Sequence, residues 1–257
     1  MIHITSRDNP TVKAIRRLAQ ETNAYRKLGQ YWVEGDHLCR AAMLKGIRAL
    51  QVVMCETIWQ SQGEQWTSAG DQLLVLPDAL FASLSGLDSP GKMGFVVGWP
   101  GPGVVMPGVP SVVLDRLQDA GNVGAILRCA AAFGFRQVIA LQGSAALWSH
   151  KVLRAGMGAH WALHLVEGAA LQDLDALQLP LIATSSHEGP FLHEMVRQAS
   201  LPKACAWVMG HEGQGVGEAL MDKASIKVRI AQPGGEESLN VATAAAICLH
   251  ASATAAL

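Results

Sequence analysis

The sequence lacks the features that mark secreted, disulfide-bonded and membrane-spanning proteins. Its five cysteines are odd in number, far apart and never in C-x-x-C spacing, which argues for a reducing compartment and against structural disulfides or a zinc site. No basic, apolar and small-residue signal segment opens the chain. Residues 93–114 and 238–257 lack charge, but the first stretch contains four prolines and the second is mostly Ala, Ser and Thr. We therefore expect a soluble, cytoplasmic protein with no membrane contact.

Charged residues are also scarce, at 16%, while half of the residues are hydrophobic, which is enough apolar material for a sizeable core. The net charge of −1 argues against a whole molecule that binds polyanions generically. Residues 1–48, however, hold nine Lys and Arg residues against four acids, a local charge of +5. Such a basic face can hold phosphates, although a solvated helix surface explains the same charges equally well.

Nucleotide-phosphate fingerprints and metal motifs are missing as well. The glycine-rich segment "VMGHEGQGVGEAL" contains neither G-x-G-x-x-G nor G-K-[ST]. The segment "LDRLQDAGNVG" also offers no glycine fingerprint, which argues against a nucleotide-dependent oxidoreductase. His160 and His164 are four residues apart, but "HWALH" reads as a strand and lacks the glutamate of a zinc hydrolase. We therefore expect no metal site.

A Gly- and Pro-rich segment at 98–110, "GWPGPGVVMPGVP", divides the chain, because it can continue neither a helix nor a central strand. Residues 1–97 predict a small α/β domain with one helix over 9–29 and strands at "YWVEG", "ALQVVMC", "QLLVLP" and "GFVVGW". Residues 111–257 alternate helices with apolar strands, "SVVLDRL", "RQVIAL", "WALHLV", "LPLIATS", "ACAWVMG" and "SIKVRI". Uniformly apolar strands of this kind predict a parallel sheet covered on both faces.

Ligands of parallel sheets bind in the loops that follow the strands, which here begin at Asp115, Thr184, Gly210 and Ile230. In the first loop, Asn122 lies at a predicted helix start and Arg128 lies further along the same helix. An asparagine cap and a solvated arginine would explain both residues structurally. The apolar neighbours of Arg128 nevertheless predict a largely buried helix, where a cation needs an anionic partner.

The other two polar loops hold residues that a purely structural explanation accounts for only in part. Glu212 would be a costly charge in its glycine-rich loop unless it accepts hydrogen bonds. In "PGGEESLNVATAAAIC", residues 233–248, a helix cap explains either Ser238 or Asn240 but not both, and it does not explain the glycine turn or the adjacent acids.

Three segments together carry a resemblance to a known family. "DAGNVGAILRCA", "VMGHEGQGV" and "VRIAQPGGEESLNVATAAAI" resemble the three motifs of the SpoU (TrmH) branch of the SPOUT RNA methyltransferases, in the correct order across residues 111–250. Residues 1–97 resemble the ribosomal-protein-like RNA-binding domain that many members carry. The resemblance implies an α/β fold in which residues 111–257 form a parallel-sheet methyltransferase domain with a deep trefoil knot. The RNA-binding domain at 1–97 and the linker at 98–110 precede it.

The resemblance also implies the activity. We expect an S-adenosylmethionine-dependent RNA 2′-O-ribose methyltransferase that acts on large-subunit ribosomal RNA, with transfer RNA as the alternative substrate. Relatives are homodimers that associate through the knotted domain, so a homodimer is expected here. A non-catalytic RNA-binding or ribosome-assembly factor would be favoured if Asn122, Arg128 or Asn240 were replaced, and all three are present.

Site residues carry over by position in the motifs. The cofactor-contacting residues are expected at Thr184, Gly210, Ile230, Ser238 and Leu239. We expect Arg128 to clamp phosphate and activate the ribose hydroxyl electrostatically, because a guanidinium with a pKa above about 12 is a poor base at neutral pH.

The remaining catalytic assignments are auxiliary. Asn122 and Asn240 would orient Arg128 or the ribose, Ser238 would donate or accept a hydrogen bond nearby, and Glu212 would stabilise the loops. The expected RNA-binding residues are Arg7, Lys13, Arg16, Arg17, Arg26 and Lys27. Four tryptophans could stack on bases, although a core or interface role is favoured for most of them: Trp32, Trp59, Trp66 and Trp99.

Overall fold

The computed structural model describes residues 1–86, 89–234 and 238–255. Packing divides the chain into two compact units, one formed by Met1–Gly101 with Trp148–Trp161 and the other by Pro102–Leu147 with Ala162–Leu257. The first passage between the units falls inside the predicted linker at 98–110. Sequence analysis did not anticipate that residues 148–161, which lie in the middle of the predicted methyltransferase domain, would pack with the N-terminal residues.

The first unit is built on a five-stranded mixed sheet with the strand order β1-β4-β3-β5-β2. β5 runs antiparallel to β2 and β3, and the other pairs are parallel. All four predicted strands are confirmed, whereas the two-residue edge strand β1 is too short to show a pattern in the sequence. The elements are β1 (Ile2–His3), α1 (Pro10–Gln20), α2 (Ala24–Leu28), β2 (Gln30–Glu34), α3 (Asp36–Leu44), β3 (Ala49–Cys55), α4 (Glu56–Gln62), β4 (Gly70–Leu76), α5 (Asp78–Ala82) and β5 (Met93–Gly98).

The prediction of one continuous helix over residues 9–29 is wrong, because the chain forms α1 and α2 with a break between them. Asn9 caps α1 by accepting a hydrogen bond from the backbone N–H of Thr11 at 2.9 Å, and Pro10 occupies the first turn. The break comes at Glu21, whose backbone is extended (φ −93°, ψ 122°). Gly29 ends α2 in the left-handed conformation (φ +65°). Val12, Ile15, Leu18 and Ala19 form the buried apolar face of α1.

Two of the four candidate base-stacking tryptophans belong to the core of the first unit. Trp32 and Trp66 are each 1% exposed, and their rings lie 6.2 Å and 5.8 Å from the rings of Phe81 and Phe95. A ring buried to this extent cannot stack on an RNA base, so these two side chains stabilise the fold.

The second unit is built on a six-stranded parallel sheet with the order β11-β9-β10-β6-β7-β8, which confirms the predicted parallel sheet. One strand prediction is wrong at its start, because residues 159–162 form a 3₁₀-helix and the strand begins at His164. The elements are β6 (Ser111–Leu114), α6 (Ala120–Ala132), β7 (Gln137–Leu141), β8 (His164–Ala169), β9 (Leu181–Thr184), α8 (Leu192–Arg197), β10 (Ala206–Met209), α9 (Glu218–Lys223), β11 (Ile226–Val228) and α10 (Val241–Ala255); α7 (His150–Gly156) packs with the first unit.

The strand order reverses in the middle of this sheet. The chain moves from β6 through β7 to β8 at one edge and then returns to the other side of β6, where β10 pairs with it. A crevice outside the carboxyl ends of the strands is expected at such a switch point. α10 packs against α6 and against β10, where the indole N–H of Trp207 donates to the Ser252 hydroxyl at 2.8 Å. The sheet and α10 therefore position the loops at the β6–β10 junction.

Candidate active site

The loops singled out from the sequence lie at one edge of the second sheet. β11, β9, β10 and β6 are neighbours in that order, and their ends are in register: Val228 is opposite Thr184, and Met209 is opposite Leu114. Asp115 then continues the ladder by donating its N–H to the Met209 carbonyl at 2.8 Å. The loops that follow these four strands therefore start side by side, as the sequence predicted.

A chain of hydrogen bonds connects three of these loops through Glu212, Asn122 and Asn240. The Asn122 amide donates to Glu212 Oε1 at 3.3 Å, and the Asn240 amide donates to Asn122 Oδ1 at 2.9 Å. Asn240 Oδ1 in turn accepts from the backbone N–H groups of Ala242 and Thr243 at 2.9 and 3.3 Å, which caps α10. The side chains that the sequence suggested as separate site residues thus form one connected arrangement.

The Glu212 carboxylate is the hydrogen-bond acceptor that holds its own loop against the start of α6. Besides Asn122, it accepts from the backbone N–H groups of Asp119 at 3.1 Å and Gln118 at 3.4 Å. Burial raises the pKa of Glu212, but the hydrogen bonds from its own N–H, from Asp119, from Asn122 and from Gln118 outweigh it and lower the pKa below the ordinary value of 4.5. Glu212 is therefore ionised at neutral pH, and its donors occupy it.

Gly210 allows two backbone segments to approach each other closely. A Cβ atom placed on Gly210 would lie 2.2 Å from the carbonyl carbon of Gly215 and from the nitrogen of Val216. His211 and Gly215 exchange backbone hydrogen bonds at 3.0 and 2.8 Å, which folds the loop back on itself. A side chain at position 210 would therefore push this turn away from the end of β10.

Residues 110–250, more than half of the chain, match the family model described as the SpoU rRNA Methylase family, and residues 9–94 match the MRM3-like substrate binding domain. The first match contains the whole Glu212–Asn122–Asn240 arrangement. The chain belongs to the SpoU rRNA methylase family. This membership confirms the resemblance inferred from the three motifs.

Relatives within the SpoU family are similar along almost the whole chain. The 23S rRNA (guanosine(2553)-2′-O)-methyltransferase RlmP of Bacillus subtilis is 28% identical over 254 residues, 97% of this chain and 98% of that protein. The uncharacterized tRNA/rRNA methyltransferase slr1673 of Synechocystis sp. is 30% identical, with 96% and 92% covered. A crystal structure of an RNA 2′-O ribose methyltransferase, 26% identical, covers 99% of both chains with a TM-score of 0.77. The two-unit architecture is therefore shared with these proteins.

Arg128 and Ser238 lie outside the hydrogen-bonded arrangement of this SpoU protein. The helix α6 buries Ile126, Leu127 and Ala130 as expected, but Arg128 itself lies on the exposed face. It is six residues beyond Asn122, about 9 Å along the helix axis. Arg128 and Ser238 form no hydrogen bond or ion pair with any residue that the structure describes. Both side chains are thus accessible to a ligand.

Four of the residues expected to contact the cofactor have side chains that are partly buried or exposed: Thr184, Ile230, Ser238 and Leu239. Thr184 donates its hydroxyl to the Val208 carbonyl at 3.3 Å, and Ile230, two residues beyond the end of β11, is partly buried. Leu239 is 38% exposed, so its side chain is available to a ligand. The adjacent Gly235 and the acids at 236–237 lie outside the described residues.

Sequence reasoning assigned no role to three further residues at this edge. Asp115 is 4% exposed and pairs with Arg116, and the buried Oε1 atom of Gln232 has no hydrogen-bond partner among the described residues. The signal for Asp115 was an acid that directly follows a fully apolar strand. Arg116 and Gln232 gave no such signal, because their contacts depend on loops distant in sequence.

Within residues 1–86, 89–234 and 238–255, no group of three or more His, Cys, Asp or Glu side chains could hold a metal ion. Within the same ranges, no helix combines the length and the apolar composition needed to cross a bilayer.

Proposed function

We propose that this protein transfers a methyl group from S-adenosylmethionine to a ribose 2′-hydroxyl of large-subunit ribosomal RNA. The observation that carries the proposal is the hydrogen-bonded arrangement of Glu212, Asn122 and Asn240, which joins the three SpoU motifs at one edge of the sheet. The relative from Bacillus subtilis is named for 2′-O-methylation of a guanosine in 23S rRNA, and the solved structure is of an RNA 2′-O ribose methyltransferase.

The residues at this edge fit S-adenosylmethionine, which supplies an electrophilic methyl group when bound. The buried Oε1 atom of Gln232, which has no hydrogen-bond partner in the described part of the chain, is available to a polar group of the ligand, and the exposed Leu239 offers apolar surface. Thr184, Gly210, Ile230, Ser238 and Leu239 would hold the cofactor. A buried acceptor that has no partner among the described residues is costly without a ligand, and its position in the third motif supports a binding site here.

Arg128 is the residue that we assign to the ribose and its phosphate. Its guanidinium is exposed and forms no ion pair within the described part of the chain, so it can contact RNA without first breaking a protein contact. A cation at this position stabilises the negative charge that develops on the 2′-oxygen and binds the adjacent phosphate. It does not remove the hydroxyl proton, because a guanidinium remains protonated at neutral pH.

Glu212 acts as an orienting group. Its lowered pKa and its donors leave it ionised and occupied, so it holds Asn122, which in turn holds Asn240. Asn122 and Asn240 then present their amides in defined directions, as a preorganised site requires. Ser238 lies two residues before Asn240 and is exposed, and its hydroxyl has no hydrogen-bond partner among the residues that the structure describes, so it can bind a ligand.

The first unit supplies the RNA-binding surface in this proposal, as its match to a substrate-binding domain supports. Five of the six candidate residues are exposed, and Arg16 is partly buried against Ser83. Lys13 pairs with Asp8 at 2.9 Å and Arg17 with Glu21 at 3.1 Å. Surface pairs of this kind contribute about 0–1 kcal/mol, so RNA phosphates can displace them. The full set is Arg7, Lys13, Arg16, Arg17, Arg26 and Lys27.

Family membership supports two further proposals about the second unit, a deep trefoil knot in residues 111–257 and a homodimer formed through that domain. The helix α10 leaves Ile247 38% exposed, and its other residues are mostly small, which suits an interface. Ribosomal RNA is met in the cytoplasm, where we propose that the enzyme acts.

The deciding experiment measures transfer of radiolabelled methyl from S-adenosylmethionine to RNA from cells that lack this gene. Protein-free ribosomal RNA and transfer RNA are tested separately with the wild type, with Arg128→Ala and with the control Arg136→Ala, another exposed arginine of the second unit. We expect label in ribosomal RNA as an alkali-resistant dinucleotide, lost in Arg128→Ala and retained in the control. Label only in transfer RNA would contradict the proposal that ribosomal RNA is the substrate. If neither RNA is labelled, an assembling ribosomal particle is tested as the substrate and binding of S-adenosylmethionine is measured. No label in any of the three, together with no cofactor binding, would favour a non-catalytic assembly factor.

A further inference from the structure

Asp115 and Arg116 directly follow the central strand β6 and form a close ion pair. Arg116 Nε donates to Asp115 Oδ1 at 2.9 Å and Nη2 donates to Oδ2 at 3.1 Å, so the contact is bidentate. The Asp115 side chain is 6% exposed and that of Arg116 is 38% exposed. An almost buried carboxylate requires such partners, because an unpaired buried charge is strongly destabilising.

The same pair contacts the glycine-rich loop at 210–217 at two points. Asp115 Oδ2 accepts the backbone N–H of Gly217 at 2.7 Å, and Arg116 Nη1 donates to Gln214 Oε1 at 3.2 Å. The loop is thereby held at its far end and near its middle. Its near end is held by the β6–β10 ladder, where Asp115 N–H donates to the Met209 carbonyl.

The backbone of Arg116 is strained, with φ at +57°. This left-handed conformation is disfavoured for residues with a Cβ and is adopted readily by glycine. A strained non-glycine residue persists when its surroundings hold it there, and such residues cluster at functional sites. At this position the strain is matched by three side-chain hydrogen bonds, all directed at Asp115 or at the glycine-rich loop.

Space around Gly217 is also taken up by the pair. A Cβ atom at Gly217 would lie 3.1 Å from Arg116 Nη2 and 3.3 Å from Asp115 Oδ2. The glycine therefore lets the ion pair reach the backbone of the loop, and a larger residue would require the pair to shift by a few tenths of an ångström.

We propose that Asp115 and Arg116 are positioning residues that hold the 210–217 loop in the shape that receives S-adenosylmethionine. The inference rests on the proposed function and adds two residues to the site. They act through the loop that carries Gly210 and Glu212, and they are not catalytic residues. Replacing Arg116 by glycine should weaken cofactor binding while the fold stays nearly as stable, because relief of the backbone strain offsets the loss of the ion pair and Asp115 keeps the Gly217 N–H as a donor.

The substitution Arg116→Gly separates these two effects. Glycine relieves the backbone strain at φ +57° and removes all three contacts of the guanidinium. Gln178→Gly is the matched control, because Gln178 also lies at positive φ (+53°) in the second unit, before β9 and thus at the opposite edge of the sheet. Arg116→Lys keeps the charge but not the two-point contact, so it should restore binding in part.

Calorimetric titration with S-adenosylmethionine and thermal unfolding are measured on all four proteins. We expect Arg116→Gly to bind about tenfold more weakly than the wild type, Arg116→Lys to be intermediate and Gln178→Gly to bind normally. The unfolding midpoint of Arg116→Gly should lie within about 2 °C of the wild type, and that of Gln178→Gly, which loses no ion pair, should lie at or slightly above it. In methyl transfer, the KM for the cofactor should rise while kcat at saturation changes by less than about twofold.

Two results would overturn the inference alone. One is wild-type affinity in Arg116→Gly, and the other is a loss of affinity accompanied by a midpoint far below that of Gln178→Gly, which would make the pair a fold anchor. If the wild-type protein itself did not bind S-adenosylmethionine, the proposed function would be wrong and this inference with it.

Discussion

The Glu212 carboxylate provides a direct test of how the motif loops are held together. Glu212→Gln keeps the size of the side chain and removes its charge. One of the two terminal atoms becomes an NH₂ group, which cannot accept the backbone N–H of Gln118 or Asp119. We expect the substitution to destabilise the fold at pH 7, because the N–H donors at the start of α6 are left partly unpaired.

The magnitude follows from the geometry. A hydrogen bond to a charged group contributes about 1.5–3 kcal/mol when it is short and well shielded. Two of the three cross-loop contacts of Glu212 are long, at 3.3 and 3.4 Å, and the residue is exposed, so we expect a total loss of about 1–2 kcal/mol. For a chain of this size the loss corresponds to a fall in the unfolding midpoint of roughly 2–8 °C.

The pH dependence gives the sharper test. Because the folded-state pKa of Glu212 lies below the ordinary value of 4.5, the stabilisation is fully present above that value and is lost as the pH falls through the folded-state pKa. The difference between wild type and Glu212→Gln should therefore be constant above about pH 5.5 and should shrink as the pH falls below the ordinary value of 4.5.

The assay is thermal unfolding across this pH range, with Glu218→Gln as the control. Glu218 is an exposed acid of the same unit for which the described residues provide no hydrogen bond or ion pair. Its substitution should shift the midpoint by no more than about 1 °C. A Glu212→Gln midpoint equal to the wild type at pH 7, or a difference that persists unchanged at pH 3, would refute the assignment of Glu212 as an ionised acceptor.

Three further predictions concern the ends of α6 and α10 and the glycine-rich loop. Asn240→Ser keeps an N-cap acceptor for Ala242 and Thr243 but cannot reach Asn122, so the free energy of unfolding should stay within about 0.5 kcal/mol of the wild type while methyl transfer falls. Equal losses of stability in Asn240→Ser and Asn240→Ala would contradict this. Ala120→Pro should raise the free energy of unfolding by about 0.4–1 kcal/mol, because Ala120 is the first residue of α6 and Asp119 already has the extended backbone (φ −75°, ψ 118°) that precedes proline. Ala125→Pro, in the interior of the same helix, should instead lower the free energy of unfolding by about 3 kcal/mol. Gly210→Ala should lower the free energy of unfolding by at least about 2 kcal/mol, since the added Cβ would overlap backbone atoms 2.2 Å away. If the variant unfolded at the same urea concentration as the wild type, the turn would be able to move aside.

Local patterns predicted most of the elements of both units. Apolar runs such as 52–55 and 206–209 were readable as strands because buried strand segments leave uninterrupted hydrophobic sequence. The break between α1 and α2 was missed, since the amphipathic pattern continues past Glu21, whose extended backbone carries no strong local signal. The position of residues 148–161 in the first unit was missed for a different reason. It depends on packing partners such as Tyr31, which accepts a hydrogen bond from Trp161 at 3.0 Å across 130 residues of chain.

The sequence alone determined which loops matter and to which family the chain belongs, because motif residues are local and their order along the chain can be read directly. Only the tertiary structure decided how those residues combine. Asn122 meets Glu212 across 90 residues and Asn240 across 118, and Arg116 meets Gln214 across 98. These contacts exist because β10 returns to pair with β6 in one register, and a shift of one residue would turn each side chain to the opposite face of the sheet. Strand order and register arise from the packing of the whole sheet, which no single segment specifies.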